Sequence, residues 1–135
     1  MVFYIDGASR GNPGRAGAGV VVCNEAGQII KERKEYLGKA TNNVAEYRAL
    51  LLALQEALAQ GATQVEVYTD SELLARQWNG EYRVRSPHLA PLVQQARSLS
   101  RAFSSCKLSH IPRTQNRRAD LLANRAIDES STPEG

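Results

Sequence analysis

Gln64-Val-Glu-Val-Tyr-Thr-Asp70 alternates apolar and polar residues and then stops on an acid. That alternation is the pattern of a strand with one face buried. The segment lies between two helical runs, Val44–Gln60, closed by Gly61, and Ser71–Trp78. A strand entered from one helix and left by another pairs with parallel neighbours. Towards the N-terminus, Val2–Asp6 is a second strand-like run that also ends on an acid, followed by a turn region over Gly7–Gly14. Ala16–Asn24 and Gln28–Leu37 flank Asn24-Glu-Ala-Gly27, a hairpin signal, and Gly38–Asn43 reads as a polar loop. Towards the C-terminus come a Gly/Pro-punctuated connection, Asn79–Pro87, and a helix, His88–Phe103, with Leu89, Leu92, Val93, Ala96 and Leu99 on one stripe. A strand (Cys106–Ile111), a loop (Pro112–Asn116) and a helix (Arg117–Glu129) complete the chain. The order β-β-β-α-β-α-α-β-α predicts an α/β protein, a mixed sheet covered by helices. Ligands in such folds bind beyond the carboxyl ends of parallel strands where strand order reverses. Asp6 and Asp70 stand at two such ends, and meet if the first and fourth strands are parallel neighbours.

The chain of 135 residues is long enough to bury one core without staples. One domain over residues 1–129 with a polar tail at 130–135 is expected. A net charge of +3 permits a polyanionic partner without requiring one. Its distribution says more: Arg113, Arg117, Arg118 and Arg125 crowd the C-terminal third, and Arg76, Arg83 and Arg85 the middle. The N-terminus lacks the basic region of a signal peptide, and the longest apolar stretch, Ala16–Cys23, is too short to cross a bilayer. A soluble cytoplasmic protein with no membrane partner follows as an expectation. Cys23 and Cys106 have no C-x-x-C spacing and read as small buried apolar residues; a bridge between them stays open.

Four acids stand where acids are awkward. Asp6 and Asp70 close strands, Glu46 falls on the apolar stripe of its helix, and Asp120 precedes Leu121, Leu122 and Ala123 in another apolar run. Each has an ordinary explanation. Asn43-Val-Ala-Glu46 has the capping-box form, Asp70 can cap the next helix, Asp6 can open an Asx-turn, and Asp120 can pair with Arg117. Acids are rarely buried unless paired or bound to a cation, so four facing one point suggest a divalent-metal site. Mg²⁺ takes oxygen ligands, and two such ions ~3.5–4 Å apart stabilise an in-line phosphoryl displacement. Four carboxylates balance the four charges of two ions. No His/Cys ligand spacing, phosphate-binding loop or nucleophile elbow competes, and Gly11-Asn-Pro-Gly14 is a turn, not a dinucleotide fingerprint.

Asp6-Gly-Ala-Ser-Arg-Gly-Asn-Pro-Gly14, Thr41-Asn-Asn-Val-Ala-Glu46, Thr69-Asp-Ser71 and Asn116-Arg-Arg-Ala-Asp-Leu-Leu-Ala-Asn124 resemble, in order, the four signature blocks of type 1 ribonuclease H. The resemblance implies a ribonuclease H-like fold, a five-stranded mixed sheet flanked by helices. It implies an endoribonuclease that cleaves the RNA strand of RNA–DNA hybrids, leaving 5′-phosphate and 3′-hydroxyl ends, and a monomer. Asp6, Glu46, Asp70 and Asp120 fall at the family's metal-binding and catalytic positions, for two Mg²⁺ (or Mn²⁺) with substrate bound. Asn12, Thr41, Asn42 and Asn43 match its substrate-contacting positions: Thr41 and Asn42 at the phosphate pocket for the DNA strand, Asn12 and Asn43 at the minor groove. Short amides and hydroxyls suit an A-like groove, where they reach 2′-hydroxyls without reading sequence. A catalytically idle nucleic-acid-binding module, or a nuclease that also cuts double-stranded RNA, are the alternatives.

The chain departs from many members. Glu72 replaces a common Gln, and the short Asn79–Pro87 segment, with Arg83 and Arg85, replaces a long basic protrusion, leaving Arg113, Arg117 and Arg118 to support hybrid binding. The family's loop histidine has two candidates for an auxiliary role: His110, ten residues before Asp120, and Arg113, as in members that carry an Arg in a shorter loop.

Overall fold

Strand β1 (Val2–Gly11) runs on past Asp6, through most of the expected turn, and pairs antiparallel with β2 (Gly14–Cys23) as far as Gly11–Gly14. Only Asn12 and Pro13 remain between them. The Gly/Ser-rich sequence over Gly7–Gly11 has weak strand propensity by itself, but continuous pairing with β2 overrides it. The third strand, β3 (Ile29–Ala40), likewise absorbs part of the expected polar loop, with a register shift where Ala16 faces Gly38 and Gly17 faces Tyr36. These elements belong to a computed structural model that describes residues 1–130.

Helix α1 (Asn42–Ala59) starts earlier than the apolar periodicity suggests, because Thr41 caps it: its hydroxyl oxygen accepts the Val44 N–H at 3.2 Å. Strand β4 (Gln64–Thr69) follows, then α2 (Glu72–Trp78), α3 (Ala90–Ser100), β5 (Ser105–His110), a 3₁₀ turn (Arg113–Gln115) and α4 (Arg117–Ser130). Ser71, not Asp70, caps α2 by accepting the Leu74 N–H at 3.1 Å. The expected tail begins at Ser130, which is the last residue of α4; its remainder, 131–135, lies outside the described residues.

The five strands are ordered β3-β2-β1-β4-β5. β1 and β4 are parallel, with Ile5 opposite Thr69, as the placement of the two strand-end acids requires. β4 and β5 are also parallel. One sheet face, carrying Phe3, Ile5, Val20, Val22, Val65, Val67 and Leu108, packs against α1, α2 and α3 through Tyr47, Leu50, Leu54, Leu74, Trp78 and Ala96. Each fully buried Val, Leu, Ile or Phe side chain among these stabilises by roughly 1.5–3 kcal/mol. Within this layer the Tyr47 hydroxyl donates to Gln77 at 2.9 Å, and the Arg97 guanidinium lies 4.0 Å from the Trp78 ring. The opposite face is narrower: Val21 and Cys23 meet Ala119 and Leu122 of α4, with Val2 and Tyr4 at the margin. Cys23 and Cys106 are both free thiols, on β2 and β5, with β1 and β4 between them. Among the described residues no helix is long and apolar enough to cross a membrane.

Two glycines set how closely the helices sit. A Cβ on Gly7 would lie 2.3 Å from the carbonyl carbon of Ala45 and from the nitrogen of Glu46, so the first turns of α1 rest directly on β1. A Cβ on Gly19 would lie 2.4 Å from the Ala119 carbonyl oxygen, so α4 rests equally close on β2. Gly7→Ala forces α1 outward and is expected to cost about 1–3 kcal/mol, as overpacking does. Urea unfolding measures it; a change smaller than about 0.5 kcal/mol, the ordinary surface-substitution range, contradicts the contact.

Candidate active site

Pairing between β1 and β4 ends at Ile5 and Thr69, so Asp6 and Asp70 are the next residues on two adjacent parallel strands. Glu46 reaches the same point from α1, seated on Gly7. One carboxylate oxygen from each of Asp6, Glu46 and Asp70 lies within 4.8 Å of the others. Asp120 arrives from the other side of the sheet. Buried Asn116 donates its Nδ2–H to the Ile5 carbonyl at 2.8 Å, and its own carbonyl accepts the Asp120 N–H at 3.2 Å. One residue thus fastens α4 to the residue before Asp6, and sets the Asp120 carboxyl close enough to raise the proton affinity of Asp6. Of the four acids singled out in the sequence, the structure brings Asp6, Glu46 and Asp70 within ligand distance of one another and sets Asp120 beside them, outside that group of three. Asp120 is half-buried, because Leu121 points outward while Leu122 and Ala123 face the sheet.

The charge balance here is lopsided. Burial, then Glu46, Asp120 and Asp70, hold the Asp6 carboxyl far above the carboxylate range. Burial and Asp70 raise Glu46 as well, against the lowering effect of hydrogen bonds from Gly7 N–H and Asp6. The capping-box reading of Glu46 does not hold: Thr41 takes the capping role. Glu46 Oε2 is buried with no hydrogen-bond partner. Glu56, on the same helix and just as buried, shows the contrast. Gln60, Lys31 and Arg33 surround it, and Gln60 first, then Lys31, hold it below the usual glutamate range. At Asp70 the Arg113 Nε stands 3.9 Å from Oδ2 with its side chain 89% exposed, a weak pairing. An unpartnered buried oxygen among like charges suits an external cation, and an all-oxygen donor set suits a hard divalent one.

A groove of about 910 Å³ leads away from Glu46. Asn12, Thr41, Asn42 and Asn43 all line it. The Asn42 N–H donates to Asn12 Oδ1 at 3.1 Å, tying the β1–β2 turn to the start of α1. No acid stands in the first turn of α1, so although Asn12 and Thr41 take two of its first N–H groups, the helix dipole at this end still favours an anion.

Lys39, Ser86 and His88 also line the groove and escaped the sequence reading. Lys39 was legible in principle, since β3 carried on to Ala40 puts Lys39 and Thr41 on one side by alternation. Ser86 and His88 carry no local signal; packing of α3 against α1 brings them there. Of the bases expected to support a polyanion, Arg118 is bound to Glu32, and Arg76 to Glu72 at 2.9 Å, so both are already committed. Glu72 is accordingly a solvent-facing partner of Arg76. His110 is exposed at the end of β5, opposite Thr69.

A family model described as reverse transcriptase-like matches residues 4–126. The bifunctional protein Rv2228c of Mycobacterium tuberculosis is 42% identical over 132 residues, 97% of this chain and 36% of that protein. Ribonuclease HI of Halobacterium salinarum is 42% identical over 127 residues, 94% of this chain and 64% of that protein. The chain therefore spans between about a third and two thirds of these curated relatives. The crystal structure of the Halobacterium ribonuclease H1 superposes with a TM-score of 0.92, covering 95% of this chain and 97% of that one. LC11 ribonuclease H1, solved in complex with an RNA/DNA hybrid, is 42% identical with a TM-score of 0.91, covering 96% and 97%. By its sheet order and these likenesses, the chain belongs to the type 1 ribonuclease H family.

Proposed function

We propose that this protein is a metal-dependent endoribonuclease that hydrolyses the RNA strand of RNA–DNA hybrids, leaving 5′-phosphate and 3′-hydroxyl ends. The observation that carries the reading is the orphaned oxygen of Glu46, set among Asp6, Asp70 and Asp120 at the head of the amide-lined groove. Relatives at 42% identity support it: one is named ribonuclease HI and another is solved with an RNA/DNA hybrid. Asp6, Glu46, Asp70 and Asp120 would hold Mg²⁺ or Mn²⁺. Bound there as a pair, such ions supply Lewis-acid stabilisation to the attacking and leaving oxygens of an in-line displacement.

The protein's own part is placement. The backbones of Asp6 and Asp70 are fixed by adjacent strands, and those of Glu46 and Asp120 by helices locked onto glycines, so the acids start close to the geometry in which charge develops. Asn12 and Asn43 offer uncharged donors and acceptors to a minor groove, and Thr41, Asn42 and the α1 N-terminus face a backbone phosphate. Thr41 accepts the Val44 N–H through its oxygen, which leaves the hydroxyl proton to donate. Lys39 adds the positive charge that a phosphate contact calls for. Arg113, exposed beside Asp70, is placed to steady the scissile strand or the departing product.

Labelled RNA–DNA, RNA–RNA and DNA–DNA duplexes of one sequence, incubated with Mg²⁺, Mn²⁺ or chelator, test the assignment. The hybrid is cut, only with metal, and the RNA fragments carry 5′-phosphates. Asp70→Asn loses about two orders of magnitude or more in rate with an unchanged circular dichroism spectrum. Full activity in that variant sinks the mechanism. Arg113→Ala slows cleavage by up to about tenfold, more than His110→Ala does, which corresponds to ~1.4 kcal/mol of barrier. The opposite ranking hands the auxiliary role to His110.

A further inference from the structure

Asp120 differs from the other acids in how it is held. Asp6 is held within β1 by its pairing with β2, Asp70 directly follows β4, and Glu46 is wedged against Gly7, but Asp120 is half-buried on the face of α4 and has a free choice of side-chain rotamer unless something fixes it. Asn124 stands one turn further along α4, on the same face. Its Nδ2–H₂ donates to the Asp120 carboxylate Oδ1 at 3.2 Å and to the Asp120 carbonyl at 3.0 Å. Its Oδ1 in turn accepts from Arg10 Nη2 at 3.4 Å, and Arg10 Nη1 is anchored on Asp128 at 2.6 Å. Arg10 belongs to β1, two residues before Asn12.

Asparagine is a poorer helix former than alanine, because its amide competes for backbone groups. At this position the amide is used. It donates to a carboxylate, which orients the acid. It adds no full positive charge to the site.

We propose that Asn124 is a positioning residue: itself set by Arg10, it turns the Asp120 carboxylate towards Asp6 and so completes the metal-binding acids. The inference rests on the reading of Asp120 as the fourth ligand. It also links the turn that carries Asn12 to the fourth acid through a continuous chain of side chains.

The test uses the full chain, with Mn²⁺ alone as the probe in calorimetry and hybrid cleavage for kcat and KM. Four proteins are compared: wild type, Asn124→Ala, Asp120→Asn and the double variant. Asn124→Ala weakens Mn²⁺ binding by several-fold and lowers kcat by up to about tenfold, with KM for the hybrid unchanged and Tm equal or higher. Asn124→Gln, which keeps an amide donor on a longer stem, falls between. In the Asp120→Asn background the Asn124→Ala change has no further effect, because its target is gone. Wild-type Mn²⁺ affinity and kcat in Asn124→Ala, beside losses in Asp120→Asn, overturn the role of Asn124. Fully additive losses in the double variant overturn it too. If Asp120→Asn itself binds Mn²⁺ and cleaves as wild type does, the four-acid reading fails and this inference with it.

Discussion

The absence of two side chains governs the site. Gly7 follows Asp6 along β1, and Gly19 lies opposite Asp6 on β2. At Gly7 the backbone of α1 closes on one face of the sheet; at Gly19 the backbone of α4 closes on the other. Side chains alternate along a strand, so Asp6 points to the α4 face while Gly7 receives α1. Both helices therefore converge on one residue from opposite sides. Glu46 and Asp120, far apart in the chain, can reach Asp6 only because neither glycine carries a Cβ. Asn116 completes the docking by tying the start of α4 to the Ile5 carbonyl.

That geometry carries an electrostatic cost. Carboxylates of like charge are drawn into a partly dry pocket, which raises the proton affinity of Asp6 and Glu46. The fold handles its other buried acid differently: Glu56 is surrounded by Lys31, Arg33 and Gln60. The same helix thus carries one acid that is satisfied within the chain and one that is not. The unsatisfied one opens onto a groove lined by amides and a helix N-terminus. Burial alone does not distinguish a functional acid from a structural one; the identity of its neighbours does.

Much of this was legible in the residues. The alternation through Val65 and Val67, the hairpin around Asn24–Gly27 and the apolar stripe of α1 mark the elements, and two acids at strand ends mark the site. What escaped depended on partners rather than on local pattern. Gly7–Gly11 looks like a turn until β2 is laid beside it, and Asn43 looks like a cap until Thr41 takes that role. Arg118 looks like a phosphate ligand until Glu32 is found bound to it. His88 enters the groove only because α3 packs on α1. The four signature blocks were readable because each is a contiguous run, whereas the groove wall is assembled from four separate parts of the chain.

The central claim is that a divalent ion binds among acids whose proton affinity burial and like charge have raised. Calorimetric titration of the protein with Mn²⁺ at pH 7, in buffers of different ionisation enthalpy, reads this directly. Both carboxyls are held above their ordinary range, so the metal-free site binds protons that a cation must displace. Net proton release, an apparent affinity that rises with pH, and loss of the signal in Glu46→Gln are the results this account predicts. Mn²⁺ binding without proton release, or binding that survives intact in Glu46→Gln, would contradict it.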